Sequence, residues 1–380
     1  MLYLKDNWSL VLNKRLCLAS VLCVANFTLS GFTSIADLDL GATHASINGP
    51  STLAADDHGH LFVIEMNENK VRRIDLRQGR IATVAGNGKR CCYRDGAKAT
   101  EVSLDFLRSL AVDSHGDIFI GENDRIRRVD GRTGLISTVA GDGTSGNTLD
   151  GIRALSAHFW DIDGLAVDFE GNLFAADGHQ GKIFKIDKKS GTVVRYAGSG
   201  EFGYAGNEVL AVDASFRFPN SVATDKSGNL LVADFQNCRI RRIDRETGII
   251  KTIAVTGGVE QNCLDSMDNS RPGPYPSDPV SDFAGNVYFL EGAMDVVLRI
   301  DANTFAISTL AGNGHRGFSG DNGPATDAEL ANPSGLAVDL DGTVFIAEYV
   351  NNRLRRVDAK TKVITSVAGN GLPHRIDFME

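Results

Sequence analysis

Apolar positions along this chain of 380 residues fall into short runs bounded by turn residues, and the runs recur in groups of four. The clearest group occupies 334–339, 344–348, 353–358 and 363–369. β-Branched residues dominate it, and apolar/polar alternation is weak in the first two runs, as in strands covered on both faces. Aligned on the Asp that closes each first run, the group occurs six times, at Asp56, Asp113, Asp168, Asp225, Asp282 and Asp339, with intervals of 57, 55, 57, 57 and 57 residues. A fixed period of this kind marks a repeat architecture. In every copy Asp-x-x-Gly joins the first run to the second (Gly59, Gly116, Gly171, Gly228, Gly285 and Gly342). Gly suits the left-handed position of such a hairpin, and the Asp carboxylate can accept an N–H two residues on. A four-stranded sheet used six times is expected to close radially, because an open row of sheets leaves edges that pair with other chains. The expectation is therefore an all-β, six-bladed β-propeller with four antiparallel strands per blade. Its inner strands are placed at 52–55, 110–112, 165–167, 222–224, 279–281 and 336–338, within blades at about 50–86, 107–141, 162–198, 219–255, 275–312 and 333–369.

The residues of 333–369, PSGLAVDLDGTVFIAEYVNNRLRRVDAKTKVITSVAG, resemble the NHL repeat, a six-bladed propeller family. The segment GNGHRGFSGDNGPATDAELANP (312–333) is similar to the linkers of its secreted bacterial and teneurin-like members. The resemblance covers roughly 32–369 and implies one propeller domain over 32–372, with a leader at 1–31 and a tail at 373–380. Members are mostly interaction scaffolds, with a minority of lyases and hydrolases, so fold is implied more strongly than function.

Composition changes this picture little. Hydrophobic residues at 42% and charged residues at 23% are globular values, and a net charge of −9 argues against a general binder of phosphate backbones, so no nucleic-acid partner is expected. The leader adds more. Lys14 and Arg15 precede the apolar run 16–24, with Ala25 at a plausible cleavage point, which is the layout of a secretory signal. The uncharged stretch 16–35 could instead tether the chain to a membrane. Export is the expectation, and with it a secreted or extracytoplasmic, monomeric protein. Cys91, Cys92, Cys238 and Cys263 lie outside the leader, an even number whose pairing cannot be read from spacing. Near the start, 32–36 (FTSIA) resembles a fourth strand and 41–53 tracks the linker 323–336, so the chain enters on a fourth-strand fragment that could pair with blade six at the seam of the ring.

Several constellations carry candidate chemistry. Six acids, Glu65, Glu122, Asp177, Asp234, Glu291 and Glu348, end the second strands near one mouth of the channel. Across the following hairpin they face Lys70, Arg125, Lys182, Arg239, Val296 and Arg353, which reads as cross-strand pairing in five blades and leaves Glu291 to face a ligand. Gly-x-Gly-x-x-Gly follows the fourth strand at 141–146, 198–203 and 312–317 with no helix after it, which makes it a linker device and not a dinucleotide site. Asp339-Leu340-Asp341-Gly342 opens like a calcium loop but lacks the closing Glu. Histidines fall in turns, hairpins, linkers and the tail. The zinc-holding histidines that NHL-type lyases carry on inner strands have no counterpart, and neither has the Glu, Asn and Asp set of gluconolactonase-like propellers. Hence no catalytic residue, metal ligand or cofactor is assigned. Arg73, Arg128, Lys185, Arg242, Arg299 and Arg356 recur identically before the third-strand Asp and belong to the blade itself.

The fourth-to-first linkers and the second-to-third hairpins are expected on one face, and the near-identical Asp-x-x-Gly turns on the other. The linker face carries what differs between blades, and Tyr93, Trp160, Tyr204, Tyr275, Glu291, Arg316 and Phe318 are its candidate partner-binding residues. The expected function is a non-catalytic scaffold that binds a protein or glycan there, centred near 256–274. The alternative is a metal-dependent hydrolase or lyase with its site in the channel.

Overall fold

A computed structural model describes residues 41–91, 93–257 and 274–372. Six antiparallel sheets stand around a channel, each running inner, second, third and outer strand in chain order. Blade six shows the pattern: Pro333–Val338, Val344–Glu348, Arg353–Val357 and Ile364–Ala368. The other inner strands are Pro50–Ala55, Ser109–Val112, Gly164–Val167, Pro219–Thr224 and Pro276–Ser281, and each contains the run expected to be innermost. The propeller, its blade count and its antiparallel order are thus as the period predicts. No helix among the described residues is long and apolar enough to cross a membrane. The proposed leader at 1–31 and tail at 373–380 lie outside the described residues.

The turns form for the reason the sequence suggests. Asp339 Oδ1 accepts the backbone N–H of Asp341 and Thr343, and the same carboxylate bonds recur at Asp56, Asp113, Asp168 and Asp225. The Asp thus fixes its own turn through one carboxylate oxygen. The recurring third-strand cations also act locally, since Arg299 donates to Asp301 at 2.7 Å and Arg128 lies 2.6 Å from Asp117.

The core lies between blades. Phe62 and Ile64 of blade one pack with Ile118, Ile120 and Ile136 of blade two, and Phe345 and Ala347 of blade six pack with Leu61 and Val63 of blade one. Each blade covers its neighbour's face, so burial worth roughly 1.5–3 kcal/mol per large side chain is gained only when the ring is filled.

The linkers have a structure of their own. Gly141 opens one with φ +87°, and a Cβ there would meet the carbonyl oxygen of Asp124 at 2.1 Å. The first glycine of Gly-x-Gly is therefore needed where the linker crosses the hairpin below it. Each well-described linker then lays a short strand on the outer edge of the next blade. Ile152–Arg153 pairs with Thr192–Ala197, Val209–Leu210 pairs with Ile249–Val255, and single bridges join Lys98 to Leu135 and Pro324 to Val363. Unpaired edges are covered in this way.

The seam closes by the same device. Gly369 and Asn370 donate their N–H groups to the carbonyls of Ala42 and Ala45, as Gly312 and Asn313 do to Ala325 and Ala328 within an unbroken linker. Gly41 bridges to Arg80 on the outer edge of blade one, and the N–H of Gly49 reaches Asn352 Oδ1. Residues 41–49 are thus the second half of a linker whose first half lies at the other end of the chain. The fragment 32–36 lies outside the described residues. The edge of the third strand in blade six is taken by Ile364–Ala368, whose own outer side meets Asn322 and Gly323.

Candidate binding face

The ring of acids is built as the register requires, with Glu65 opposite Lys70 and Glu348 opposite Arg353, but the ion pairs among the described residues run to another position. A pleated strand puts the residue two further along on the same face, and it is this diagonal arginine that turns inward. Arg72, Arg127, Arg241 and Arg355 lie 3.1, 3.6, 3.5 and 3.5 Å from Glu65, Glu122, Asp234 and Glu348. Each of these four acids, and Asp177 with them, also accepts a linker N–H, from Asn48, Asp105, Arg217, Ala331 and Trp160. In blade three, where Phe184 stands in place of the arginine, Gln180 donates to Asp177 instead. Burial pushes these carboxyls upward, to about 7 for Glu122 and Glu348 and about 6 for Asp234, against the pull of the arginines and linker N–H groups.

Glu291 has none of these partners among the described residues. Pro274 stands where the linker N–H would be, Leu298 where the arginine would be and Met294 where the amide would be. The residue is buried at 7% exposure, and desolvation raises its carboxyl pKa. Glu291 thus lacks the partners of the other acids for a fuller reason than Val296 opposite it.

The other candidates divide. Tyr93, Tyr204 and Phe318 each lie over the outer arginine of their blade, Arg125, Arg239 and Arg353, at 3.8, 3.9 and 4.3 Å, and at 5.2–5.7 Å from the buried one. They cap the arginine pair, leaving 41–45% of their surface open. Trp160 is exposed, with its indole N–H donated to Asn147. Tyr275 and Arg316 instead share a cavity of about 620 Å³ at the linker-face mouth of the channel, walled also by Phe218 and Phe235. Phe235 stacks on Tyr275 with ring centres 4.6 Å apart, and His179 meets Phe218 edge-on.

The acids of this mouth were not among the candidates. Four residues before the turn Asp the copies read Thr52, Ser109, Gly164, Ser221, Asp278 and Gly335, and five before it they read Ser51, Arg108, Asp163, Asn220, Ser277 and Ser334. Asp278 stands where the other blades keep a small residue, and comparing the copies column by column would have exposed it. It sits in a bulge, at φ +45° before Pro279, a conformation disfavoured for a non-glycine and more so before proline. Ser221 Oγ donates to its Oδ1, and burial lifts its pKa to about 7. Burial likewise lifts Asp163 to about 7, opposed by Arg108 and reinforced by Asp161.

Asp161, Asp163 and His179 bring three ligand atoms within 4.8 Å of one another, a spacing that could hold a metal. Arg108 already stands 3.0 and 3.4 Å from the two carboxylates, and His179 Nδ1 is 3.0 Å from Asp161. The charge a cation would supply is already present, so the group reads as an ion-pair cluster.

A family model described as the NHL repeat matches residues 216–243, which contain the first three strands of blade four. Among curated proteins the chain is 25% identical over 326 residues to Protein SUPPRESSOR OF QUENCHING 1, chloroplastic, of Arabidopsis thaliana, covering 81% of this chain and 30% of that protein. To Teneurin-1 of Homo sapiens it is 24% identical, covering 78% of this chain and 10% of the teneurin. The chain therefore spans less than a third of either relative. Among solved structures, an auxiliary nutrient binding protein from Bacteroides thetaiotaomicron superposes with a TM-score of 0.56 at 16% identity, over 84% of this chain and 70% of that one. A streptogramin B lyase superposes with a TM-score of 0.51 at 17% identity, over 86% and 85%. At such identities the structural likeness is one of fold.

Proposed function

Because this chain belongs to the NHL-repeat β-propellers, we propose that it is a non-catalytic scaffold that binds a protein or glycan partner on its linker face. The observation that carries this reading is the cavity at the channel mouth, whose walls (Phe218, Phe235, Tyr275, Arg316, Asp278) differ from blade to blade. On the opposite face the Asp-x-x-Gly turns repeat nearly the same hydrogen bonds around the ring. A surface of individual aromatic and arginine residues on loops held by a rigid ring is the usual make-up of an interface centre. Export fits Cys238, which is disulfide-bonded, since disulfides persist in oxidising compartments. The test is capture of the partner from the source cells with the full chain as bait. Arg316→Glu combined with Tyr275→Ala is expected to abolish capture, and substitutions in the turns at Ser227 and Asp341 to leave it intact. The reverse pattern would assign binding to the other face.

The alternative is a metal-dependent hydrolase or lyase, which would need a cation in place of Arg108 at the Asp161, Asp163 and His179 group. Elemental analysis of the purified protein decides it. The scaffold reading expects no stoichiometric metal, and one equivalent lost on Asp163→Asn would establish the alternative.

A further inference from the structure

The aromatic rings of the linker face differ in what covers them. Tyr93, Tyr204 and Phe318 already carry an arginine of their own blade. Phe218, Phe235 and Tyr275, at the mouth, have no cation over them among the described residues, and Phe235 and Tyr275 present a stacked pair. The same mouth holds Asp278, whose contact among the described residues is the Ser221 hydroxyl. Asp163, by contrast, has Arg108.

Counting the charged side chains that line the cavity gives three carboxylates (Asp163, Asp278, Asp295) against two guanidiniums (Arg108, Arg316). Asp161 draws on Arg108 as well. One oxygen of Asp295 is occupied by the N–H of Asn332 at 2.6 Å, which leaves Asp278 as the acid without a charged or backbone partner among the described residues. Asp278 is half-buried, and an ionised carboxylate held partly out of water is costly unless a cation meets it. A neutral hydroxyl ligand would not offset the charge. A guanidinium would, because its planar fork matches a carboxylate and its flat face stacks on an aromatic ring. The site is also retained against local preference: a left-handed Asp before Pro279 is a strained choice where the other blades place Gly, Ser or Thr.

We propose that the channel mouth receives an arginine side chain of a partner protein, its guanidinium meeting Asp278 and lying against the Phe235–Tyr275 pair. The proposal rests on the reading of the linker face as the binding face and narrows its partner to a polypeptide presenting an exposed arginine.

The probe is Nα-acetyl-arginine amide, with Nα-acetyl-citrulline amide as its neutral near-isostere, titrated into the purified full chain at low salt by calorimetry and by thermal shift. The expected result is saturable binding of the arginine probe in the millimolar range, at least tenfold weaker binding of citrulline, and loss of the difference in Asp278→Ser and in Asp278→Asn. The serine variant reproduces the residue at Ser109 and Ser221, and the asparagine variant keeps size and tolerates positive φ, so one of the two is expected to stay folded as judged by circular dichroism. The proposal is overturned if the arginine probe does not bind, if citrulline binds equally, or if both variants bind arginine as the parent does. It is equally overturned if a neutral chito-oligosaccharide binds at the mouth, losing affinity in Tyr275→Ala and not in Asp278→Ser, because the occupant is then a glycan. Failure here with capture still abolished by Arg316→Glu and Tyr275→Ala would leave the linker-face reading standing and remove the arginine.

Discussion

At the residue scale, what the sequence made visible is what repeats, and what it concealed is which of two equivalent neighbours turns inward. Glu348 could pair with Arg353 opposite or Arg355 on the diagonal, and strand register alone does not choose. The choice is made by the linker, which gives Arg355 the carbonyls of Ser319 and Glu329 and the carboxylate of Asp321. Asp278 went unnoticed because it differs from a column of small residues with no chemistry of their own. Its titration supplies a prediction. Folded, its pKa is about 7, above the ordinary 3.8, so the folded state binds the proton more tightly than the unfolded chain does. The stability it contributes is present below about pH 4 and is lost as pH rises through 7. Asp278→Asn, which has no such loss, is expected to be more stable than the parent at pH 8. The gap, at most about 4 kcal/mol on roughly 1.4 kcal/mol per pKa unit, should close as pH falls toward 4. Urea unfolding at the two pH values measures it, and a pH-independent gap would mean that strain and not charge sets the difference.

At the scale of the element, the linker was legible as a device but not as a structure. Its Gly-x-Gly opening, its lack of helical periodicity and its length were all on view. That it caps the arginine pair, feeds an N–H to the carboxylate and seals the next blade's edge depends on contacts between distant segments. Tyr93, Tyr204 and Phe318 therefore looked free and are partly engaged. The capped pair predicts unequal responses within one strand. Arg355→Ala strands a buried Glu348 and should cost about 3–5 kcal/mol, whereas Arg353→Ala, at the outer position, should cost about 1 kcal/mol or less through lost packing on Phe318. Chemical denaturation of the two variants compares them directly, and equal losses would show that the diagonal pair is not what anchors the blade.

At the scale of the whole molecule, the 57-residue period was enough for blade number, strand order and channel, because a repeat leaves one way to cover every face. The seam was legible in part. The match of 41–53 to 323–336 pointed to it, while the role of 41–49 as half a linker required the bonds of Gly369 and Asn370. Removing residues 1–49 should expose the edge of blade one and the surface under Ala42 and Ile47, lowering the melting temperature by several degrees and raising amide exchange at Gly369 and Asn370. Unchanged exchange at those two amides would show that the seam is held elsewhere. A linker that works when cut also means that covalent continuity between neighbouring blades is dispensable at that junction. The same bonds bind all the well-described junctions, so the ring has no intrinsic first blade. A circular permutant that joins 372 to 41 through a short spacer and opens between Leu149 and Asp150 would be the same molecule with its ends in a different place.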